Sequence, residues 1–347
     1  MKVFLVGGTG LLGSAAAAEL IKRGHEVHAI ALPPVPEGVQ LPPQMKLDFK
    51  SYLDLSDDEI RSYLSGCEGF VFASGIDERV TGPAPIYDYF NKFNVAPLEK
   101  FLRIGKECGV KHSVVCGSYF SHFDKKWPHL ELAKWHPYIR SRREQERVAL
   151  SFADDNFSVA ILELPYIFGV QPGREPVWTI IVNAVRSMKG VTMYPKGGTT
   201  MVTVKQVAQA MAGALERTQG GKCWPIGCYN MPWKQFLAIV HDNMGMHGRK
   251  IITIPNWMLN MGVKFMEKKI RGESEGEGGV KTEGGIRLSK FSDIQSAECY
   301  IDRTHGCTPL GVEDDDIEKA IGESIRLSVD SLDGKVKNIV KMKGEEK

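Results

Sequence analysis

The residues whose types and spacing point most directly to chemistry lie at the start of the chain. Gly7-Gly8-Thr9-Gly10-Leu11-Leu12-Gly13 places glycines in the pattern G-x-x-G-x-x-G, directly after the apolar run Val3-Phe4-Leu5-Val6. Each glycine of such a turn has its own task. One takes the tight bend, one lets backbone NH groups approach a pyrophosphate, and the last lets helix and strand pack closely. The helix that follows offers unpaired NH donors and the positive end of its dipole to the phosphates. A glycine cluster also suits an ordinary tight turn. Here a buried-type strand precedes it and an alanine-rich stretch follows, which is the context a dinucleotide site requires. Gly7, Gly10, Leu11, Leu12 and Gly13 are therefore expected to hold the phosphates of a bound dinucleotide. At the end of the second strand an acid would bind a ribose 2′-hydroxyl and an arginine a 2′-phosphate. Ala31-Leu32-Pro33 offers neither, and no Lys or Arg occurs between Arg23 and Lys46, so NAD and NADP both stay open.

The turn needs a scaffold, and the hydrophobic pattern describes one. Residues 3–6 read as a strand covered on both faces, 14–23 as a helix stopped by Gly24, and 25–32 as a strand broken by Pro33, Pro34 and Pro36. Further strands are expected at 69–74, 112–116 and 158–162, with helices at 57–64, 87–108 and 138–152. Strands alternating with helices predict an α/β fold with a parallel, doubly wound sheet of the Rossmann type. After Gly169 the rhythm loosens around Gly173, Pro176 and Trp178, and a helix is expected near 204–216. The expected organisation is a dinucleotide-binding domain over 1–169, a smaller α/β substrate domain over 170–330 from which the chain can cross back, and a charged tail over 331–347 that frays from Lys335. Residues 257–268 read as a Met-rich amphipathic helix packed on its own domain, and 273–285 as a solvated Gly/Glu-rich loop.

Composition narrows the function classes. The 347 residues are 43% hydrophobic and 25% charged, enough for two cores. Lys plus Arg (44) against Asp plus Glu (42) leaves +2, with no basic excess to neutralise a nucleic-acid backbone. No stretch approaches the ~20 apolar residues of a membrane span, and Met1-Lys2 runs straight into the first strand without a signal-peptide pattern. Seven cysteines, an odd number, do not form a disulfide framework, and Cys223 and Cys228 lack a matching Cys/His pair for zinc. Free thiols in a reducing cytoplasm, and no metal, are the expectation. His122, His129 and His136 recur every seven residues, but Pro128 interrupts any common helix face, and loop histidines with ordinary hydrogen bonds are expected.

With the glycine turn, Asp54-Leu55, Phe72-Ala73-Ser74-Gly75, Phe93-Asn94-Val95, Val110-Lys111-His112-Ser113-Val114-Val115, Pro165-Tyr166-Ile167-Phe168-Gly169 and Pro309-Leu310-Gly311 in this order, the chain resembles an extended short-chain dehydrogenase/reductase. It is similar to the NAD-dependent epimerase/dehydratase family that includes UDP-galactose 4-epimerase. The resemblance implies that Asp54 and Leu55 sit by the adenine, that Ala73 and Ser74 line the cofactor path, that Asn94 lies near the site, and that Pro165 and Ile167 flank the nicotinamide. It also implies a catalytic Ser/Thr followed by Tyr-x-x-x-Lys. Ser118 takes the serine position and Tyr138 the tyrosine position, but Tyr138-Ile139-Arg140-Ser141-Arg142 carries arginine where lysine belongs. A cation one helical turn from the tyrosine favours its phenolate, whose free pKa is ~10. Arg142 supplies charge, although a guanidinium does not relay protons as an ammonium does. Lys134 is an alternative cation.

Two departures bear on the substrate. Family dehydratases carry Asp-Glu after the hydroxyl residue, whereas Tyr119-Phe120 follows Ser118, so that elimination chemistry is set aside. Nucleotide-sugar enzymes of the family place an Arg where Thr199 stands, and Lys205-Gln206 replaces the usual acids. Arg174 and Lys196 are loop cations that compensate for a diphosphate, while Phe120, Tyr166 and Trp178 are expected as pocket walls for a smaller or more apolar carbonyl compound. The expected activity is that of an NAD(P)-dependent oxidoreductase. The rivals are epimerisation of a nucleotide sugar with retained NAD and dinucleotide binding without turnover. The resemblance further implies a homodimer paired through the helices at 87–108 and 138–152.

Overall fold

The computed structural model describes residues 1–262 and 282–341. Its first half runs β1 (Lys2–Val6), α1 (Leu11–Lys22), β2 (Glu26–Ala31), β3 (Lys46–Phe49), α2 (Asp57–Leu64), β4 (Gly69–Phe72), β5 (Thr81–Pro83), α3 (Tyr87–Phe90), α4 (Ala96–Glu107), β6 (His112–Cys116), α5 (Tyr119–Lys126), α6 (Leu132–Trp135), α7 (Pro137–Leu150) and β7 (Ser158–Glu163). The second half runs β8 (Tyr166–Phe168), α8 (Thr179–Ser187), β9 (Thr192–Pro195), β10 (Gly198–Thr203), α9 (Val204–Arg217), β11 (Gly221–Pro225), β12 (Tyr229–Pro232), α10 (Trp233–Asn243), β13 (Ile251–Ile254), β14 (Thr282–Gly284) and β15 (Glu298–Cys299), with later helices at Leu288–Gln295 and Ile317–Leu332.

Seven parallel strands form the large sheet in the order β11-β7-β6-β4-β1-β2-β3. The chain winds one way from β1 through β2 to β3, then restarts at β4 on the other side of β1. At that reversal the loops leaving β1 and β4 part, and the crevice between their carboxyl ends is where such sheets bind ligands. The central strands have no solvated face, which explains their unbroken apolar runs. Ala16, Ala17 and Leu20 of α1 and the alanine-rich face of α9 cover Leu5, Val71 and Val114, while α2, α4 and α7 cover Phe4, Phe70 and Phe72. The α/β doubly wound sheet expected from the pattern is what forms.

The chain crosses back as the pattern allowed: α9 packs on α1, and β11 pairs with β7 at the edge of the large sheet. The second sheet centres on β10, with β12 antiparallel on one side and β15 and β8 parallel on the other. Among the described residues, no helix is long and apolar enough to cross a membrane.

Three expectations need correction. The helix expected over 87–108 is interrupted by a π-helical turn at Asn91–Val95. Pro97 has no NH to give the Phe93 carbonyl four residues back, and the Tyr52 hydroxyl donates to that carbonyl instead (3.1 Å). The tail expected to fray from Lys335 is anchored at Val340, whose N donates to Gly173 O (2.7 Å). Residues 256–262 are helical, but Trp257 and Met261 are exposed there rather than packed. The rest of the stretch 257–268, most of the loop 273–285 and the tail beyond 341 lie outside the described residues.

Close backbone packing at the crevice makes a measurable demand on glycine. A methyl carbon on Gly13 would stand 2.1 Å from Gly7 O, and one on Gly7 (φ +99°) would stand 2.6 Å from Ala73 O. Gly24 has φ +84° but open space around it. Gly13→Ala is expected to destabilise by about 3 kcal/mol or more, against about 1 kcal/mol for Gly24→Ala. Urea unfolding of the two variants measures the difference, and equal losses would contradict the tight turn.

Candidate active site

The glycine turn is held from below by β2. Gly7 N and Gly8 N both donate to Ile30 O (2.9 and 3.1 Å), and Gly10 N donates to Gly7 O (3.0 Å). Gly10 starts α1 without a side-chain cap, so the first-turn NH groups at Leu11 and Leu12 have no capping side chain over them. Ala73 N donates to Val6 O (3.0 Å), which fixes the exit of β4 against the turn. A surface without Cβ atoms beside an uncapped helix start fits a pyrophosphate. Two residues from far along the chain close over it. Gln171 Nε2 donates to Thr9 O (3.2 Å) and Ser14 Oγ (2.9 Å), and Arg174 Nη2 donates to Thr9 O (3.2 Å). Arg174, expected at the substrate, lies against the glycine turn, because the loop after β8 turns back over the glycines. Gln171 carried no local signal in the sequence.

The remaining residues expected at the cofactor separate into two groups. Asp54 is exposed, whereas Leu55 is enclosed between the sheet and α2 and α4. Ala73 and Ser74 are half-buried at the crevice, with Ser74 beside the Tyr52 phenol, which burial pushes up to about 12. Asn94 is fully buried and does not face the crevice as a ligand group. Its Oδ1 accepts from Ile76 N (2.8 Å) and its Nδ2 donates to Ile76 O (2.9 Å). Pro165 is buried and Ile167 half-buried at the start of β8.

Tyr138 and Arg142 both lie on the buried face of α7. The Arg142 guanidinium centre stands 5.1 Å from the Tyr138 ring centre. Its donors serve two backbone carbonyls and one side-chain amide: Nη1 reaches Gln145 Oε1 (2.8 Å) and Cys116 O (3.3 Å), and Nη2 reaches Ile76 O (3.2 Å). Arg142 thus ties together the exits of β4 and β6, with its buried Nε lacking a partner among the described residues. Gln145, one turn on, donates to Asn94 O (2.9 Å) and completes the brace. Burial pushes the Tyr138 phenol up from its usual range, Arg142 opposes that, and Glu78 and Asp77 add to it. Ser118 caps α5, its Oγ accepting from Phe120 N (3.3 Å), which leaves its proton to donate elsewhere. Lys134 is exposed and paired with Glu131 (2.9 Å), so it is not the substitute cation.

Aromatic rings enclose Tyr138. Phe90 and Phe120 pack edge-on to it at 5.5 and 6.4 Å, Tyr119 lies 4.7 Å from Phe120, and Tyr166 6.1 Å from Tyr119. Thr199 is fully buried and donates to the Tyr119 hydroxyl (3.2 Å). Trp178 packs behind Tyr166, ring centres 5.3 Å apart. It stacks on Phe168 at 4.1 Å, donates to Ile167 O (3.0 Å) and belongs to the core under β10. Lys196 is exposed. One further carboxyl enters the field of these rings: Glu78, pushed up to about 7 by burial and by Asp77. It sits on the loop after β4, where no spacing rule marks it.

The histidines part company. His136 is buried, accepts from Arg287 N (3.1 Å) and is held near 4 by burial, hence neutral, while His122 faces Glu163 (3.5 Å) and His129 is exposed. Glu146, Glu163 and Cys223 converge as metal-type ligands, yet Lys125 Nζ already lies 2.6 Å from Glu163 and 3.1 Å from Glu146.

The brace yields a direct test. Lysine cannot span two carbonyls and an amide as a planar fork does. Arg142→Lys is expected to destabilise by about 1–3 kcal/mol in urea unfolding and to give no gain in turnover. Retained stability with raised turnover would contradict the bracing role.

A family model described as the NAD dependent epimerase/dehydratase family matches residues 3–227. No curated protein matches the sequence. Among solved structures, the protein gox2253 is similar at 19% identity and TM-score 0.71, covering 97% of this chain and 99% of its own. UDP-glucose 4-epimerase from Thermotoga maritima is similar at 14% identity and TM-score 0.62, covering 96% and 100%. UDP-glucuronic acid 4-epimerase from Bacillus cereus, in complex with UDP-glucuronic acid and NAD, is similar at 11% identity and TM-score 0.62, covering 94% and 99%. At these identities the structures share the fold. With the family model spanning the glycine turn, Ser118, Tyr138 and the return strand β11, the chain belongs to the NAD dependent epimerase/dehydratase family.

Proposed function

We propose that the protein is an NAD(P)-dependent oxidoreductase that interconverts a hydroxyl and a carbonyl on one carbon of a small, largely apolar molecule. Family membership makes it an NAD(P)-dependent enzyme of the epimerase/dehydratase class. The observation that supports the narrower reading is the aromatic enclosure. Tyr119, Phe120 and Tyr166 gather with Tyr138 in one apolar cluster, and buried Thr199 spends its hydroxyl on Tyr119. No guanidinium from β10 enters to pair with a diphosphate.

The dinucleotide, when bound, supplies or accepts the hydride. In the reducing direction Tyr138 gives its phenolic proton to the substrate oxygen as the carbon gains hydride, so a carbonyl becomes an alcohol. Ser118 directs its free proton to the same oxygen and holds it. The Arg142 charge stabilises the phenolate left behind. Burial keeps Tyr138 protonated at neutral pH, which suits the donor role. Epimerisation of a nucleotide sugar, the activity named for several structural relatives, is the second reading, and it would show as interconversion without net use of added cofactor. Pairing of two copies through α4 and α7, and a cytoplasmic location, belong to the proposal as well.

The test is hydride transfer followed by nicotinamide absorbance over a panel of aldehydes, ketones and UDP-sugars. Tyr138→Phe is expected to lower kcat on the order of 10²–10⁴-fold with unchanged thermal unfolding. Because the phenol is raised, the alcohol-oxidising rate should climb with pH and show no plateau below about 10. A Tyr138→Phe variant with full turnover would end the reading, as would sugar interconversion alone.

A further inference from the structure

We propose that Arg174 is the cofactor-selecting residue, its guanidinium receiving the 2′-phosphate of NADP(H) over the glycine turn. This rests on the reading above that the crevice takes a nicotinamide dinucleotide.

Three observations carry it. The first is an uncompensated charge. Arg174 is half-buried, and among the described residues its partners are neutral oxygens: Nε donates to Gln171 Oε1 (2.6 Å) and Nη2 to Thr9 O (3.2 Å). Burial lowers its pKa, and among the described residues no carboxylate acts on it in return. Arg23, Arg79, Arg143 and Arg303, also partly enclosed, each face a Glu or Asp, whereas Arg142 and Arg249, like Arg174, donate to neutral acceptors, away from the glycine turn. Taking a cation out of water without a counter-ion is costly, and a ligand anion removes that cost.

The second is location. The Arg174 loop is pressed onto the loop that follows β2: a methyl carbon on Gly173 would stand 2.3 Å from Glu37 O, and one on Gly38 would stand 3.4 Å from Pro172 Cβ. The loop that carries the guanidinium therefore touches both Thr9, in the glycine turn, and residues 36–38 of the segment that leaves β2, and it is beyond the end of β2 that a Rossmann-type sheet discriminates the adenosine ribose. Ala31-Leu32-Pro33 at that end brings no charge of its own. Glu37, the acid in that loop, accepts from Asn338 Nδ2 (2.9 Å). An arginine from the loop after β8 stands in for the one missing after β2.

The third is preorganisation. The C-terminal segment braces the loop from outside, with Val340 N donating to Gly173 O (2.7 Å), Glu175 N to Val340 O (3.1 Å) and Ser331 Oγ to Glu175 Oε1 (2.6 Å). From inside, Gln171 ties the loop to Ser14. A guanidinium held in place loses little freedom when a phosphate arrives.

The experiment is calorimetric titration of the full-length chain with NADPH and NADH, and with 2′,5′-ADP and 5′-ADP as half-ligands. The wild type is expected to bind NADPH and 2′,5′-ADP at least about 10-fold tighter than their partners without the 2′-phosphate. Arg174→Ala should weaken NADPH by about 10–100-fold, leave NADH within about 3-fold, and unfold thermally like the wild type. Arg174→Lys should recover part of the loss, since it keeps the charge without the fork. Equal weakening of NADH and NADPH would place Arg174 on the pyrophosphate and overturn the assignment. An unchanged NADPH affinity would overturn it also. Binding of neither dinucleotide by the wild type would instead sink the reading of the crevice, and the assignment with it.

Discussion

The structure depends on one steric constraint, the contact of backbone with backbone at the carboxyl ends of β1 and β4. Gly7, Gly13 and Ala73 meet there with no room for a methyl group between them. That contact aims α1 at the crevice, sets the start of its NH row and fixes where the loop after β4 departs. From that loop the Ile76 peptide becomes a shared anchor. Asn94 takes its NH and its carbonyl, and Arg142 takes the carbonyl a second time. Through Arg142 the position of α7, and so of Tyr138, is set by the same strand end that the glycine turn touches. Cofactor cleft and phenol are mechanically one unit.

Arginine in place of lysine is intelligible in that light. An ammonium has one centre to offer, whereas this guanidinium satisfies Cys116 O, Ile76 O and Gln145 together. Buried carbonyls left without donors cost roughly 1–3 kcal/mol each. The charge remains close to Tyr138, so the electrostatic part of the lysine's role survives while its proton-relay part does not. The aromatic side of the site follows a similar economy. Where a dehydratase would keep two acids, Tyr119 and Phe120 fill the volume with rings that need few partners, and Thr199 supplies one hydrogen bond.

What could be read beforehand was local. The glycine turn, the helix at 57–64 and the buried strands each announce themselves within a dozen residues. The doubly wound sheet follows from their alternation. What escaped was carried by long-range contacts. Gln171 and Arg174 reach Thr9 across more than 160 positions, and no spacing rule links a loop after β8 to the first turn. Arg174 therefore looked like a substrate cation, and Trp178, a large ring in a loosened stretch, gave no sign of its stack on Phe168. The break in the 87–108 helix was closer to legible, since Pro97 removes a helical donor, but its π-helical form depends on Tyr52 taking up the freed carbonyl. Cys228 and Cys307, 79 positions apart, meet at 2.8 Å without any pairing signal.

The most direct measurement is a crystal structure of the protein soaked with oxidised dinucleotide. The account requires pyrophosphate oxygens within hydrogen-bond distance of the Leu11 and Leu12 amides, and the nicotinamide carboxamide face turned to the Tyr138 hydroxyl. A dinucleotide lying elsewhere, or a phenol turned away from an occupied crevice, would contradict it.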